Sequence, residues 1–258
     1  MSRTCTGLMV LVGVALLPAP ASAQVELKAL VGGAVSEAIA EVGEAWARAS
    51  KNTFVFVRDT TGGLQKRLAS GEPADVIVLA APGMDGVQKE NRIVAGSRVD
   101  LARALIGVAV RAGAPAPDLS TVDAFKAALL KSRSLSYVSP SAGGTSGTYI
   151  DGLLRKLGIA DAMKAKVVYR TQGSEVADAV AAGEAELGIS FTSELLPNKG
   201  VRVAGTLPAD IQLPTIYAGA VVAGAKNAEA ARAFLQRMTS AEGRAALKKA
   251  GLEPVGKS

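Results

Sequence analysis

Between residues 139 and 148 the chain reads Ser-Pro-Ser-Ala-Gly-Gly-Thr-Ser-Gly-Thr. Gly143, Gly144 and Gly147 let a backbone come close to a ligand, and Thr145, Ser146 and Thr148 offer hydroxyls. The apolar-leaning run 134–138 before them predicts a short buried strand. Apolar residues at 149, 150, 153, 154 and 157 follow with helical spacing. The loop therefore opens a helix, whose first turn presents unpaired N–H groups and the positive end of its dipole. Such a combination suits an anion. One loop of this kind also fits an ordinary N-capped helix start. The pattern recurs, however: Thr60-Thr61-Gly62-Gly63 and Thr171-Gln172-Gly173-Ser174 each follow a predicted strand and precede a predicted helix.

What the chain lacks narrows the chemistry. It has no histidine, which removes the commonest general base and transition-metal ligand. A Ser-His-Asp mechanism is excluded, and a zinc site is not expected. The single cysteine, Cys5, stands in the N-terminal segment, so no disulfide framework is expected. Asp59 is the acid beside a candidate loop, and a carboxylate without a partner group offers little for acid–base work. The net charge of +6 comes from scattered Lys and Arg, and aromatic residues make up only 4%. Nucleic-acid binding is therefore not expected. The residues point to binding of a small anion without catalysis, cofactor or metal.

The elements that must position these loops alternate along the chain. Residues 1–23 have the make-up of a secretory signal: Arg3, an apolar run from Leu8 to Leu17, Pro18 and Pro20, then Ala21-Ser22-Ala23. A periplasmic location is expected from it, and no later stretch reads as membrane-spanning. The runs 25–31, 53–57, 75–79, 101–110, 134–138, 166–170, 186–191 and 215–222 read as strands. Helical spacing separates most of them, with Val35, Ile39, Val42 and Trp46 marking one buried face, and two helices close the chain at about 228–238 and 241–250. This is an α/β pattern with a mostly parallel sheet. In such sheets, loops after the carboxyl ends of strands hold ligands.

These residues also carry a resemblance. Thr60-Thr61-Gly62-Gly63-Leu64 followed by Gly71-Glu72-Pro73-Ala74-Asp75-Val76 resembles the first loop and helix of periplasmic molybdate-binding proteins. Ser146-Gly147-Thr148-Tyr149 through Gly158 is similar to their second-lobe loop and helix, and Glu175-Val176 with 182–189 to a later helix–strand unit. The likeness spans residues 24–258 in order, and its motifs are those of the wider type 2 solute-binding class of ABC transporters. It implies two lobes around a cleft, each a mostly parallel sheet flanked by helices. The chain would cross between the lobes twice, near 105–110 and 215–222. Lobe 1 would hold 24–106 plus 219–258, and lobe 2 107–218. The resemblance further implies a monomer that hands its solute to an ABC permease in the inner membrane.

The same resemblance implies ligand contacts from Thr60, Thr61, Gly144, Thr145, Ser146, Gly147 and the backbone at Val176. Two positions depart from it. Val31 or Gly32 stands where the family has a first-loop serine, with Gly33 beside it widening the cleft, and Phe191 stands where it has a tyrosine. Each lost hydroxyl removes a bond to the anion of roughly 1.5–3 kcal/mol. The departures favour a small organic anion such as a carboxylate, with a molybdate or tungstate site as the alternative. An enzyme or a ligand sensor on the same scaffold is the alternative of another class. Arg170, at a strand end beside the third loop, either pairs with the carboxylate or serves a salt bridge within its lobe.

Overall fold

Each of the three polar loops does end a strand and start a helix. The structure is a computed structural model that describes residues 24–256, so the expected leader at 1–23 lies outside the described residues. The first part of the chain runs β1 (Glu26–Gly32), α1 (Ser36–Ser50), β2 (Thr53–Asp59), α2 (Thr61–Ala69), β3 (Val76–Ala80), α3 (Ala81–Lys89) and β4 (Val99–Ala104). Next come β5 (Ile106–Arg111), α4 (Val122–Lys131), β6 (Leu135–Val138), α5 (Thr145–Lys156), α6 (Ala160–Lys164), β7 (Val167–Arg170) and α7 (Gly173–Ala182). The rest is β8 (Leu187–Phe191), α8 (Thr192–Leu195), β9 (Val201–Thr206), β10 (Thr215–Val221), α9 (Ala228–Thr239), α10 (Ala241–Lys249) and β11 (Glu253–Pro254).

The strands form two sheets, ordered β11-β4-β10-β3-β1-β2 and β7-β6-β8-β5-β9. Both are mixed. Strands joined through a helix pair in parallel, β1 with β2 and β3, and β6 with β7 and β8. Strands that pass directly from one sheet to the other pair antiparallel, β10 with β3 and β4, and β5 with β8 and β9. The apolar stretch 101–110 is thus two strands of different sheets, parted at Leu105. Thr215 pairs with Ala104 in the first sheet, so the return passage lies within 207–214.

Both central apolar runs, β3 and β8, are buried along their whole length, as strands covered on two faces must be. Ile39, Val42 and Trp46 of α1 lie in the same core, as their helical spacing predicts. Asp75, the acid of the Gly-Glu-Pro-Ala-Asp stretch, is a structural stitch. Its carboxylate accepts from the Lys28 N–H at 3.0 Å and the Asn227 N–H at 2.8 Å, tying β1 to the entry of α9. Among the described residues, no helix is long and apolar enough to cross a membrane.

Candidate functional site

Where the two sheets approach each other, the first and second polar loops meet. Thr60 caps α2: its hydroxyl accepts from the Gly63 N–H at 3.0 Å and donates across the gap to the Ala142 carbonyl at 2.6 Å. The Gly62 N–H donates to the Gly143 carbonyl at 3.1 Å. A side chain on either glycine would press on the other's backbone, and Gly143 has a φ of 73° that glycine alone adopts freely. The Thr145 hydroxyl donates to that of Thr61 at 3.4 Å, and Thr61 also accepts from the Ala80 N–H. The third loop joins through Gln172, whose amide donates to Asp59 at 3.0 Å. Burial works against the Asp59 carboxylate. The Arg67 guanidinium, the Thr60 N–H and the Gln172 amide outweigh it and hold its pKa below the usual value.

Beside this junction lies a cavity of about 240 Å³, at the small end for a ligand site. The starts of α1, α7 and α8 reach it through Gly33 and Ser36, Gly173 and Ser174, and Ser193. Arg58, from the end of β2, supplies its cation. The guanidinium donates to the Ser174 hydroxyl at 3.3 Å and lies 3.7 Å from Glu37, bridging the two sheets' elements. The Ser193 hydroxyl is only 3% exposed and has no hydrogen-bond partner in the protein. A buried polar group of this kind is normally satisfied; here it borders the cavity. Glu37 and Asp178 also line the space, the first paired with Arg58 and the second accepting from the Asn198 amide at 2.7 Å.

Glu194 of α8 is the buried acid of the site. Its carboxyl fits between the backbones of Gly33 and Gly173, where a Cβ on either would collide with it. The residue keeps a little surface, toward the cavity, while the carboxyl is otherwise enclosed. Burial pushes its pKa up, against the Ser190 hydroxyl (which donates at 2.6 Å), the Phe191 N–H and the field of Arg58. Tyr217 of β10 lies close by, its ring edge against Gly32 and crossed by Phe191 at 5.8 Å between centroids. Burial and then the charge of Glu194 push the phenol well above its ordinary value, with the Thr61 hydrogen bond opposing. The Glu194 carboxyl, which borders the cavity, and the Tyr217 phenol, which does not, thus both resist ionisation.

The expected residues fall into three groups. Thr60, Thr61 and Thr145 stand at the junction, and Gly33 lines the cavity with Gly32 next to it. Gly144 and Gly147 let α5 start hard against Val138 of β6, and Ser146 is buried there; Val176 packs inside the core of the second sheet. Arg170 does not border the cavity: its guanidinium pairs with Glu184 and donates to the Tyr169 carbonyl at 3.0 Å. Phe191 is a buried ring that braces Tyr217, and the buried phenol comes from Tyr217 instead. Arg58, Glu194 and Tyr217 were not expected from the sequence. The signal for Glu194 was present in Phe191-Thr192-Ser193-Glu194, a fourth strand followed by hydroxyl residues and a helix.

Compared with known proteins, residues 27–253 match the model of a family described as bacterial extracellular solute-binding proteins. An aconitate isomerase from a Pseudomonas species is 36% identical over 89% of this chain and 88% of its own length. The molybdate-binding protein ModA of Haemophilus influenzae is 26% identical over 85% of this chain and 86% of its own. Among solved structures, the periplasmic molybdate-binding protein of Azotobacter vinelandii superposes with a TM-score of 0.71 at 18% identity. That alignment covers 90% of this chain and all of the other. The two sheets and their flanking helices are thus those of the two-lobe binding proteins.

Proposed function

Because the chain belongs to the bacterial extracellular solute-binding protein family, we propose that it captures a small organic polycarboxylate between its lobes and passes it to an ABC permease. It does so in the periplasm, as a monomer, after loss of residues 1–23. The observation that carries this reading is the set of helix starts gathered around one cation, Arg58. Their N–H groups and dipoles favour negative charge. The unpartnered Ser193 hydroxyl adds a donor for a carboxylate oxygen. The passages at Leu105 and 207–214 are the hinges about which the lobes open and close. The 36% identical relative, whose name gives a tricarboxylate, supports the ligand class.

The test is a thermal-shift screen on protein refolded to strip carried ligand. The panel holds molybdate, tungstate, sulfate and phosphate beside mono-, di- and tricarboxylates. A ligand at about 100 times its Kd stabilises by ~2.7 kcal/mol, which is roughly 5–10 °C for a chain of this size. Shifts with di- or tricarboxylates support the reading. A shift with molybdate or tungstate alone overturns it in favour of the oxyanion site.

A second reading is favoured by Glu194, which a passive anion seat does not need. On this reading the chain also turns its ligand over, as an isomerase acting on an unsaturated tricarboxylate of the kind named for that relative. The two readings share one cleft and differ in whether the ligand leaves unchanged.

A further inference from the structure

We infer that Glu194 is the proton carrier of an isomerisation that shifts a carbon–carbon double bond within an unsaturated polycarboxylate bound in the interlobe cavity. This rests on the polycarboxylate and isomerase readings above and adds the residue and the proton path to them. The first reason is position. The carboxyl borders the cavity at the point where the starts of α1 and α7 come together, wedged between Gly33 and Gly173. The second is that its structural bonds leave its charge without a matched cation. It accepts from the Ser190 hydroxyl and from the Phe191 N–H at the start of α8, yet its carboxyl is enclosed, and Arg58, the cation of the cavity, is already engaged by Glu37 and Ser174. A buried acid without a committed counter-ion is costly to keep. The third is the company it keeps: Tyr217 from β10, Ser190 from β8, Arg58 from β2, and the unpartnered Ser193 hydroxyl beside it. Glu37 of α1 and Asp178 of α7 line the same space.

The chemistry balances without a cofactor. Take a ligand in which a methylene next to one carboxylate adjoins a carbon–carbon double bond whose far carbon bears another carboxylate. The ionised Glu194 removes one methylene proton. The electron pair of that C–H bond becomes the new double bond, and the pair of the old double bond moves to the far carbon, where the adjacent carboxylate delocalises it. The Glu194 carboxyl then returns its proton to that carbon. One proton leaves and one arrives, and nothing is oxidised or reduced. A carboxylate whose pKa burial raises is a stronger base for the step than an exposed one. The extra charge that builds on the carboxylate oxygens meets Arg58, the Ser193 hydroxyl and the helix-start N–H groups.

The experiment follows the cis and trans forms of propene-1,2,3-tricarboxylic acid by proton NMR in heavy water with the mature wild-type protein. A parallel thermal-shift measurement uses the same acids. The expected result is interconversion of the two isomers, with deuterium entering the methylene. Glu194→Gln is expected to lower the rate at least 100-fold while keeping the thermal shift. Wild-type protein that binds the acid but neither isomerises nor exchanges it overturns the proton-carrier role and leaves the binding reading standing. Glu194→Gln turning over at the wild-type rate also overturns it. No shift with any carboxylate brings down both.

Discussion

Gln212 clasps the backbone of Ile106: its amide donates to the Ile106 carbonyl at 2.8 Å and accepts from the Ile106 N–H at 3.0 Å. Ile106 opens the first strand of the second sheet, and Gln212 lies in the returning passage, so the clasp ties the two passages between the sheets together. Leu207 also donates to the Ile106 carbonyl, but the N–H has Gln212 as its partner. Gln212→Ala leaves that buried N–H unpaired, at a cost of about 1–3 kcal/mol. Differential scanning calorimetry is expected to show Tm lowered by roughly 2–12 °C. An unchanged Tm would show that the joined passages do not depend on the clasp.

The two arginines near the third loop make opposite predictions. Arg58 faces the cavity, and Arg170 is spent on Glu184. Arg58→Ala is expected to weaken carboxylate binding about 10- to 100-fold, the worth of a charge-assisted hydrogen bond. Arg170→Ala is expected to leave affinity within about twofold and to cost no more than ~1 kcal/mol of stability, as for other partly exposed pairs. Calorimetric titration of both variants separates them. Loss of affinity in Arg170→Ala alone would reverse the assignment.

That contrast marks the limit of what the sequence reveals. Periodicity placed the helices that close the chain and the three strand–loop–helix units, because burial imposes a local pattern on each. It also led to Thr60, which caps α2, and to Thr61 and Thr145, which open α2 and α5, since such residues sit beside the helices they start. It did not lead to Arg58 or Tyr217. Arg58 looks like any strand-end arginine, and its partner Ser174 lies 116 residues away. Tyr217 sits in an apolar run whose local reading is a buried strand; only the pairing of β10 beside β3 brings its ring against Gly32. The split of 101–110 into strands of two sheets was hidden for the same reason, since both halves are buried and equally apolar.

Asp75 tests whether a recognisable motif belongs to the site or to the scaffold. Its bonds to Lys28 and Asn227 lie at the end of β3 away from the cavity, whereas Thr61 bonds to Ala80 at the other end. The carboxylate is 4% exposed, so Asp75→Ala leaves buried donors without an acceptor. The expected cost is about 3 kcal/mol, or roughly 6–12 °C in Tm. Ligand affinity, measured at a temperature where the variant is folded, is expected to stay unchanged. A selective loss of affinity with Tm intact would move the motif into the site.

Glu194 gives a prediction in which the sign of the pH dependence decides. Its folded pKa is raised above the ordinary 4.5 because burial disfavours the charged carboxyl. The folded state therefore holds this proton more tightly than the unfolded chain does. Its contribution to stability is fully present below about pH 4.5 and is lost as pH rises through the folded pKa. Asp59 and Glu175 act the other way. Burial opposes their ionised forms, but hydrogen bonds from Arg67 and Thr171 and their neighbours win and lower both pKa values. They contribute stability above the unfolded values, 3.8 and 4.5, that is lost as pH falls through the folded ones. Glu194→Gln removes only the first of these. Glutamine cannot ionise, and its carbonyl oxygen still accepts from Ser190 and the Phe191 N–H. In Tm measurements from pH 4 to 8, the variant is expected to gain on wild-type steadily above about pH 4.5. A difference that stays constant across that range would mean that Glu194 titrates like an exposed carboxyl, and that the cavity does not hold it in the protonated form.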